Sequence, residues 1–252
     1  MPDSIDRAFL FFHQAVEEDR RSWDAPMAHP AWKFVVLDSD STDQAAYQIV
    51  KDRANWIERR IRPNAGARGL TLSMGYFRSR VLQSASLAET AFSFTHSVFR
   101  CEYLLRLPPA FRMSEFSSLL GLDTLNSPSR ILEVWLKYRQ SAEGKSSPQL
   151  GGQLLRFFAS QGWPLTYSEL KRINSAFREG GFDKTCVDLL EGKQGQLPRV
   201  FTDVEADLLL MYGVRNQASH SVTSSQLVRQ RLQEIVDRFP LGLFTTAQRL
   251  FP

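Results

Sequence analysis

The sequence predicts an all-α protein: a helical bundle preceded by a mainly helical N-terminal extension. Three observations carry this expectation. From Ser84 onward, apolar residues recur at helical spacing in one segment after another. Three segments open with Ser or Thr followed three residues later by Glu or Gln: Ser41/Gln44, Thr166/Glu169 and Thr202/Glu205. That pairing satisfies the first free N–H groups of a helix. No matching series of alternating strands interrupts the pattern.

Taken in order, residues 3–20 read as a helix with Ile5, Phe9, Phe12 and Val16 on one side, and His13 beside that stripe as a structural or surface histidine. Residues 21–32 carry two prolines and read as a loop. Residues 32–37 suit a short strand or an extended packing segment. They lead into Asp38-Ser39-Asp40-Ser41-Thr42, which resembles the first motif of haloacid-dehalogenase-type phosphatases, where the first Asp is the nucleophile. That fold needs alternating strands, further carboxylates and a downstream Lys, and no later β pattern supplies them. A helix start at Ser41/Gln44, with Asp43 in the first turn, is the simpler account.

The helix so begun runs to about Ile61, with Ala46, Ile49, Val50, Trp56, Ile57 and Ile61 on one side, and residues 62–69 break it. A boundary is expected there, giving an N-terminal basic segment (residues 1–80) for regulation or for RNA or partner binding, and a helical domain (residues 81–252). Residues 70–82 suit either a strand or a helix start. A long helix follows over 84–107, carrying His96 and Glu102, and Pro108-Pro109 stops it. Further helices are expected at 114–120, 130–140 and 152–160, with a linker-like loop over 143–152. Another runs from Thr166 to about Arg178 and ends at Gly180-Gly181. A shorter one covers 183–190. The last begins at Ser224/Ser225, with Leu227, Val228, Leu232, Ile235, Val236 and Phe239 as its stripe.

The chain has 252 residues, 43% of them hydrophobic, with 18 Phe, as befits a folded globule able to bury a large core. No apolar run approaches the length needed to cross a bilayer, and the acidic N-terminus lacks the order of a signal peptide. Cys101 and Cys186 sit on apolar-periodic stretches and read as core residues of a cytoplasmic protein. The net charge of +4 is uneven. Residues 51–80 hold eight basic side chains against two acidic ones, a local excess of +6. This stretch suits either a solvated face or an electrostatic platform for RNA, with Arg59, Arg60, Arg62 and Arg68 as phosphate partners.

The segment that draws most chemistry is the helix opened by Thr202 and Glu205. It is apolar nearly all round from Val204 to Val214 and then delivers Arg215-Asn216-Gln217-Ala218-Ser219-His220. Charged groups at the inner end of such a helix are costly unless they are paired or bind something. Arg215 and His220 are therefore the first candidates for chemistry. Arg7 and His13, one residue further apart, make a similar Arg-to-His pairing but lack the apolar helix, the start signal before it and the amphipathic helix after it.

This Arg-Asn-x3-His segment resembles the R-x4-6-H signature of the HEPN superfamily, small all-helical domains many of which are ribonucleases. The resemblance extends as a helical pattern over about residues 81–240, while its specific part is six residues long. It implies a metal-independent endoribonuclease without a cofactor, acting on single-stranded or loop RNA through the 2′-OH. It further implies a homodimer paired around the motif helix, and a toxin or antiviral-defence role under an antitoxin or defence-complex partner. In that scheme Arg215 neutralises the scissile phosphate, His220 moves the proton and Asn216 orients the histidine or the RNA backbone. Val222 stands where one toxin subgroup has Tyr, so that subgroup's modification chemistry is not implied. Two other readings stay open: a non-catalytic binding or dimerisation module, and an Arg215 that merely bridges to a carboxylate such as Asp203 or Glu102.

On a regular helix Asn216 and His220 lie on nearly one face, whereas Arg215 is offset from His220 by about 140°. Distortion after Asn216, or the reach of the Arg side chain, would be needed to bring Arg215 and His220 together.

Overall fold

The computed structural model describes residues 62–66, 115–144, 147–179, 181–220 and 225–251. The chain falls into two units, Met1–Phe99 and Arg100–Leu250. A short helical stretch at 62–66 belongs to the first. The second contains six described helices: α1 (Glu115–Ala142), α2 (Leu150–Ser160), α3 (Tyr167–Glu179), α4 (Phe182–Leu190), α5 (Asp203–His220) and α6 (Gln226–Leu250). Among the described residues there is no strand, so the fold is all-α. No described helix is long and apolar enough to cross a membrane. The phosphatase-like run at Asp38 lies outside the described residues.

Helix α5 is the centre of the second unit. Every residue from 205 to 214 is buried, and α1, α4 and α6 pack around it. This is what a helix apolar on all sides requires. Its neighbours present single stripes instead: Leu170, Ile173, Ala176 and Phe177 on α3, and Leu227, Leu232, Ile235, Val236 and Phe239 on α6.

Two expectations are corrected. The segments expected as separate helices at 114–120 and 130–140 are one helix, with Pro128 inside it. Proline removes an N–H and normally kinks or stops a helix. Here Leu125, Pro128, Ser129, Leu132, Trp135 and Leu136 are all buried at helical spacing, so one stripe carries the helix through the proline. The Ser129 hydroxyl donates to the Leu125 carbonyl at 3.3 Å in the same turn. The last helix likewise runs through a proline, past Pro240 to Leu250. Residues 239–247 are all buried, and the Thr245 and Thr246 hydroxyls donate to the Leu241 and Gly242 carbonyls at 2.8 Å. In both cases burial of the flanking turns outweighs the local cost of proline. The loop after α1 is also shorter than expected, since α2 begins at Leu150.

The remaining boundaries follow the local signals. Thr166 and Glu169 form a reciprocal cap on α3: the Thr166 N–H donates to the Glu169 carboxylate at 2.7 Å, and the Glu169 N–H to the Thr166 hydroxyl at 3.2 Å. Gly181, with φ of 91°, turns the chain from α3 into α4, a conformation that favours glycine. Cys186 is a buried free thiol, and burial pushes its pKa well up, as suits a core residue.

Candidate functional site

The start of α5 is fixed by a charged network. The Thr202 N–H and hydroxyl donate to the Glu205 carboxylate at 2.9 and 2.8 Å. Arg199 grips the same carboxylate, its Nη2 at 2.6 Å, while its guanidinium lies 4.3 Å from the Phe201 ring centroid. Burial works to raise the Glu205 pKa, but the Arg199 and Thr202 hydrogen bonds outweigh it and hold the carboxyl below its ordinary value of 4.5. A depressed carboxyl contributes stability above its ordinary pKa and loses it as pH falls through the lowered value. Glu205→Gln is therefore expected to cost about 1.5–3 kcal/mol at neutral pH, with the gap from wild type narrowing in acid. Denaturant titrations at neutral and acid pH check this, and a gap that widens in acid would contradict the assignment.

At the other end of α5 a cleft of about 740 Å³ opens, bounded by α1, the 147–149 segment, the first turn of α2, α3 and α5. Helix α5 contributes Tyr212, Arg215 and Asn216 to its wall. Arg215 Nε donates to Glu133 Oε2 of α1 at 3.2 Å, both side chains being about one quarter exposed. Asn216 Nδ2 donates to Asn174 Oδ1 of α3 at 3.3 Å. Helix α3 lends Tyr167, Lys171, Asn174 and Arg178 along one row. Of the charged residues lining the cleft, Lys171, Arg178 and Arg215 are basic and Glu133 alone is acidic. The first turn of α2 has neither a side-chain cap nor an acidic residue, so its N–H groups add partial positive charge at the same wall.

Two glycines set this geometry. A Cβ at Gly151 would lie 3.2 Å from the Tyr212 hydroxyl oxygen and 3.1 Å from Leu170 Cδ2. A Cβ at Gly213 would run into the Phe177 ring, which is itself buried and sits 6.0 Å from the Phe182 ring. The Phe177–Gly213 contact is one turn from the Asn174–Asn216 bond, so it sets the spacing at which that bond forms. Gly213→Ala should cost about 1–3 kcal/mol through overpacking. A denaturant midpoint indistinguishable from wild type would show that the ring has room to move.

The sequence-derived site residues fall as follows. Arg215 and Asn216 come together on the cleft wall. His220 is the last residue of α5, one turn beyond Asn216; its backbone position alone is described. The helix runs unbroken through it, so no distortion after Asn216 rotates Arg215 toward it. The bridging partner of Arg215 is not Asp203, which stands at the opposite end of α5 beside Arg238 at 3.7 Å. Glu102 lies outside the described residues, as do Arg59, Arg60 and Arg68. Arg62 is exposed at the start of the 62–66 stretch.

Glu133, Asn174, Tyr212 and the row on α3 were missed by sequence reasoning. The α3 row was legible in principle, since positions 167, 171, 174 and 178 share one helix face beside the buried stripe. Glu133 had no such signal, being 82 residues from Arg215. Among the described residues, no three His, Cys, Asp or Glu side chains are grouped as a metal ion would require. Compared with family models, curated proteins and solved structures, the chain matches none.

Proposed function

We propose that this protein is a metal-independent endoribonuclease of HEPN type that cleaves single-stranded or loop RNA. The observation supporting this reading best is the Arg215–Asn216 pair on the wall of a net-basic cleft, with His220 following on the same unbroken helix. In the reaction, a ribose 2′-oxygen attacks the adjacent phosphorus as its proton leaves. The P–O5′ bond breaks, and the 5′-oxygen takes up a proton. The products are a 2′,3′-cyclic phosphate and a 5′-hydroxyl. Arg215 holds the phosphate and offsets the charge that grows on it. His220 serves the proton transfers, its unperturbed pKa lying near neutrality. Asn216, held by Asn174, positions the histidine or the RNA backbone. Arg59, Arg60, Arg62 and Arg68 add phosphate contacts whose effect weakens as salt rises.

The test is incubation of the full chain with mixed RNAs in EDTA and analysis of the product ends. Cyclic-phosphate termini are expected; intact RNA, even with a trigger or after release from a restraining partner, would overturn the reading. The same resemblance makes the protein a homodimer paired around α5, in a prokaryotic toxin or defence system with an antitoxin or complex partner. Light scattering at tens of micromolar should then give twice the 28.8 kDa chain mass. A monomer there would count against the pairing.

A second reading draws on the partners already present. Glu133 engages Arg215 and Asn174 engages Asn216 within one chain, which suits a non-catalytic HEPN-like module for binding or dimerisation. In that case Arg215→Ala alters stability or assembly, with no RNA cleavage to lose.

A further inference from the structure

We propose that the α3 face formed by Tyr167, Lys171, Asn174 and Arg178 is a track that holds single-stranded RNA and leads it to Arg215. This rests on the ribonuclease reading above and adds to it a substrate-positioning surface on a different helix.

The four residues lie at i, i+4, i+7 and i+11, so they form one row along α3 spanning roughly 16 Å. All four line the same cleft as Arg215 and Asn216. Their chemistry matches a nucleotide chain. Tyr167 is 65% exposed, far more than an aromatic ring needs to be for packing alone. It offers a face on which an unpaired base can stack. The Lys171 ammonium sits over one face of that ring, 4.8 Å from its centroid, so a base would stack on the other face with the cation near enough to meet a neighbouring phosphate. Arg178 supplies a second phosphate contact at the far end of the row, with fork geometry suited to it. Asn174 joins the row to the site through its bond to Asn216.

Size and charge narrow the ligand. At about 740 Å³ the cleft is comparable to sites that take drug-sized ligands. It admits one or two nucleotides of a single strand, not a duplex. Three basic residues against one acidic residue favour a polyanion over a neutral or cationic partner.

The experiment measures binding apart from cleavage, using the full chain and a fluorescein-labelled 2′-O-methyl oligouridine, which lacks the nucleophile. Tyr167→Ala should weaken binding about tenfold and Tyr167→Phe should restore it, because stacking needs the ring and not the hydroxyl. Lys171→Gln with Arg178→Gln should weaken binding and lower the slope of log affinity against log salt by about 1.4, the value for two lost single-strand phosphate contacts. All three side chains are exposed, so the variants should fold like wild type, which circular dichroism confirms before binding is read.

Unchanged affinity and slope in these variants would overturn the proposal, as would equal affinity for a duplex. Uridine monophosphate binding as tightly as the oligomer would also overturn it, leaving a mononucleotide pocket. The two readings separate cleanly. Loss of binding in the track variants without any cleavage by wild type retains the track and removes the ribonuclease. Cleavage lost in His220→Ala with oligomer binding intact in the track variants does the reverse.

Discussion

RNA incubated with His220→Ala is expected to remain intact under conditions where the wild-type chain degrades it, with the rate down about 10²–10⁴-fold. Arg215→Ala is expected to lose about 10²–10³-fold, since it removes charge stabilisation at the phosphate. The two losses have different origins and should read differently. The histidine acts in proton transfer, so its removal should abolish the part of the pH–rate profile that its own titration sets. The arginine acts on a charge that grows during the reaction, so kcat should fall more than binding weakens. An oligonucleotide with 2′-deoxyribose at the cut site should be inert to the wild type, because the attacking oxygen is missing. His13→Ala, at the similar Arg7–His13 pairing in another part of the chain, should cleave normally. Equal cleavage by His220→Ala would sink the enzyme reading and leave the interaction module.

The second large effect concerns stability. Asp207 sits in the second turn of α5 with no solvent exposure, and its carboxylate accepts from Arg238 Nε of α6 at 2.5 Å. Arg238 is 11% exposed and also donates to the Leu190 carbonyl at the end of α4 at 2.9 Å. The approach of α6 is close at this level, where a Cβ at Gly242 would lie 3.0 Å from Asp207 Cβ and 2.7 Å from Met211 Cε. Asp207→Ala leaves a largely buried guanidinium with only the more distant, exposed Asp203 carboxylate at 3.7 Å, and the expected cost is about 3 kcal/mol. Replacing both members with apolar residues of similar volume should recover most of that loss, because neither charge then remains in the core. Denaturant midpoints of the two single variants and the double variant test this. A single variant within about 1 kcal/mol of wild type, of the order seen for exposed pairs, would show that Arg238 escapes to solvent.

These two sites mark where the sequence was legible. The caps at Thr166 and Thr202 were readable because each joins residues three apart, and the all-round burial of α5 was readable from its composition. Arg215 and Asn216 stood out because polar residues ended an apolar helix. Asp207 is also a charge in that helix, yet nothing nearby in sequence announced Arg238, which lies 31 residues on. Glu133 was hidden for the same reason. The helix through Pro128 was broken too early because local propensity was weighed without the tertiary burial that overrides it. The His220 side chain lies outside the described residues, so its place in the site comes from the motif.

The tie between α4 and α6 has a consequence for motion. The Asp183 carboxylate, in the first turn of α4, accepts from the Ser225 hydroxyl at 2.6 Å and the Leu227 N–H at 3.2 Å, so one helix caps the next across 44 residues of sequence. Near the far end of α4, Glu191 holds Arg231 at 3.0 Å, where α6 departs from helical backbone angles. Fastened at both ends, α4 and the first turns of α6 are expected to open as a single cooperative unit, whose amide protons should exchange with solvent together instead of fraying one helix at a time. Only four residues separate His220 from that fastening at Ser225. Opening of the unit would therefore loosen the chain just beyond the proposed His220 site.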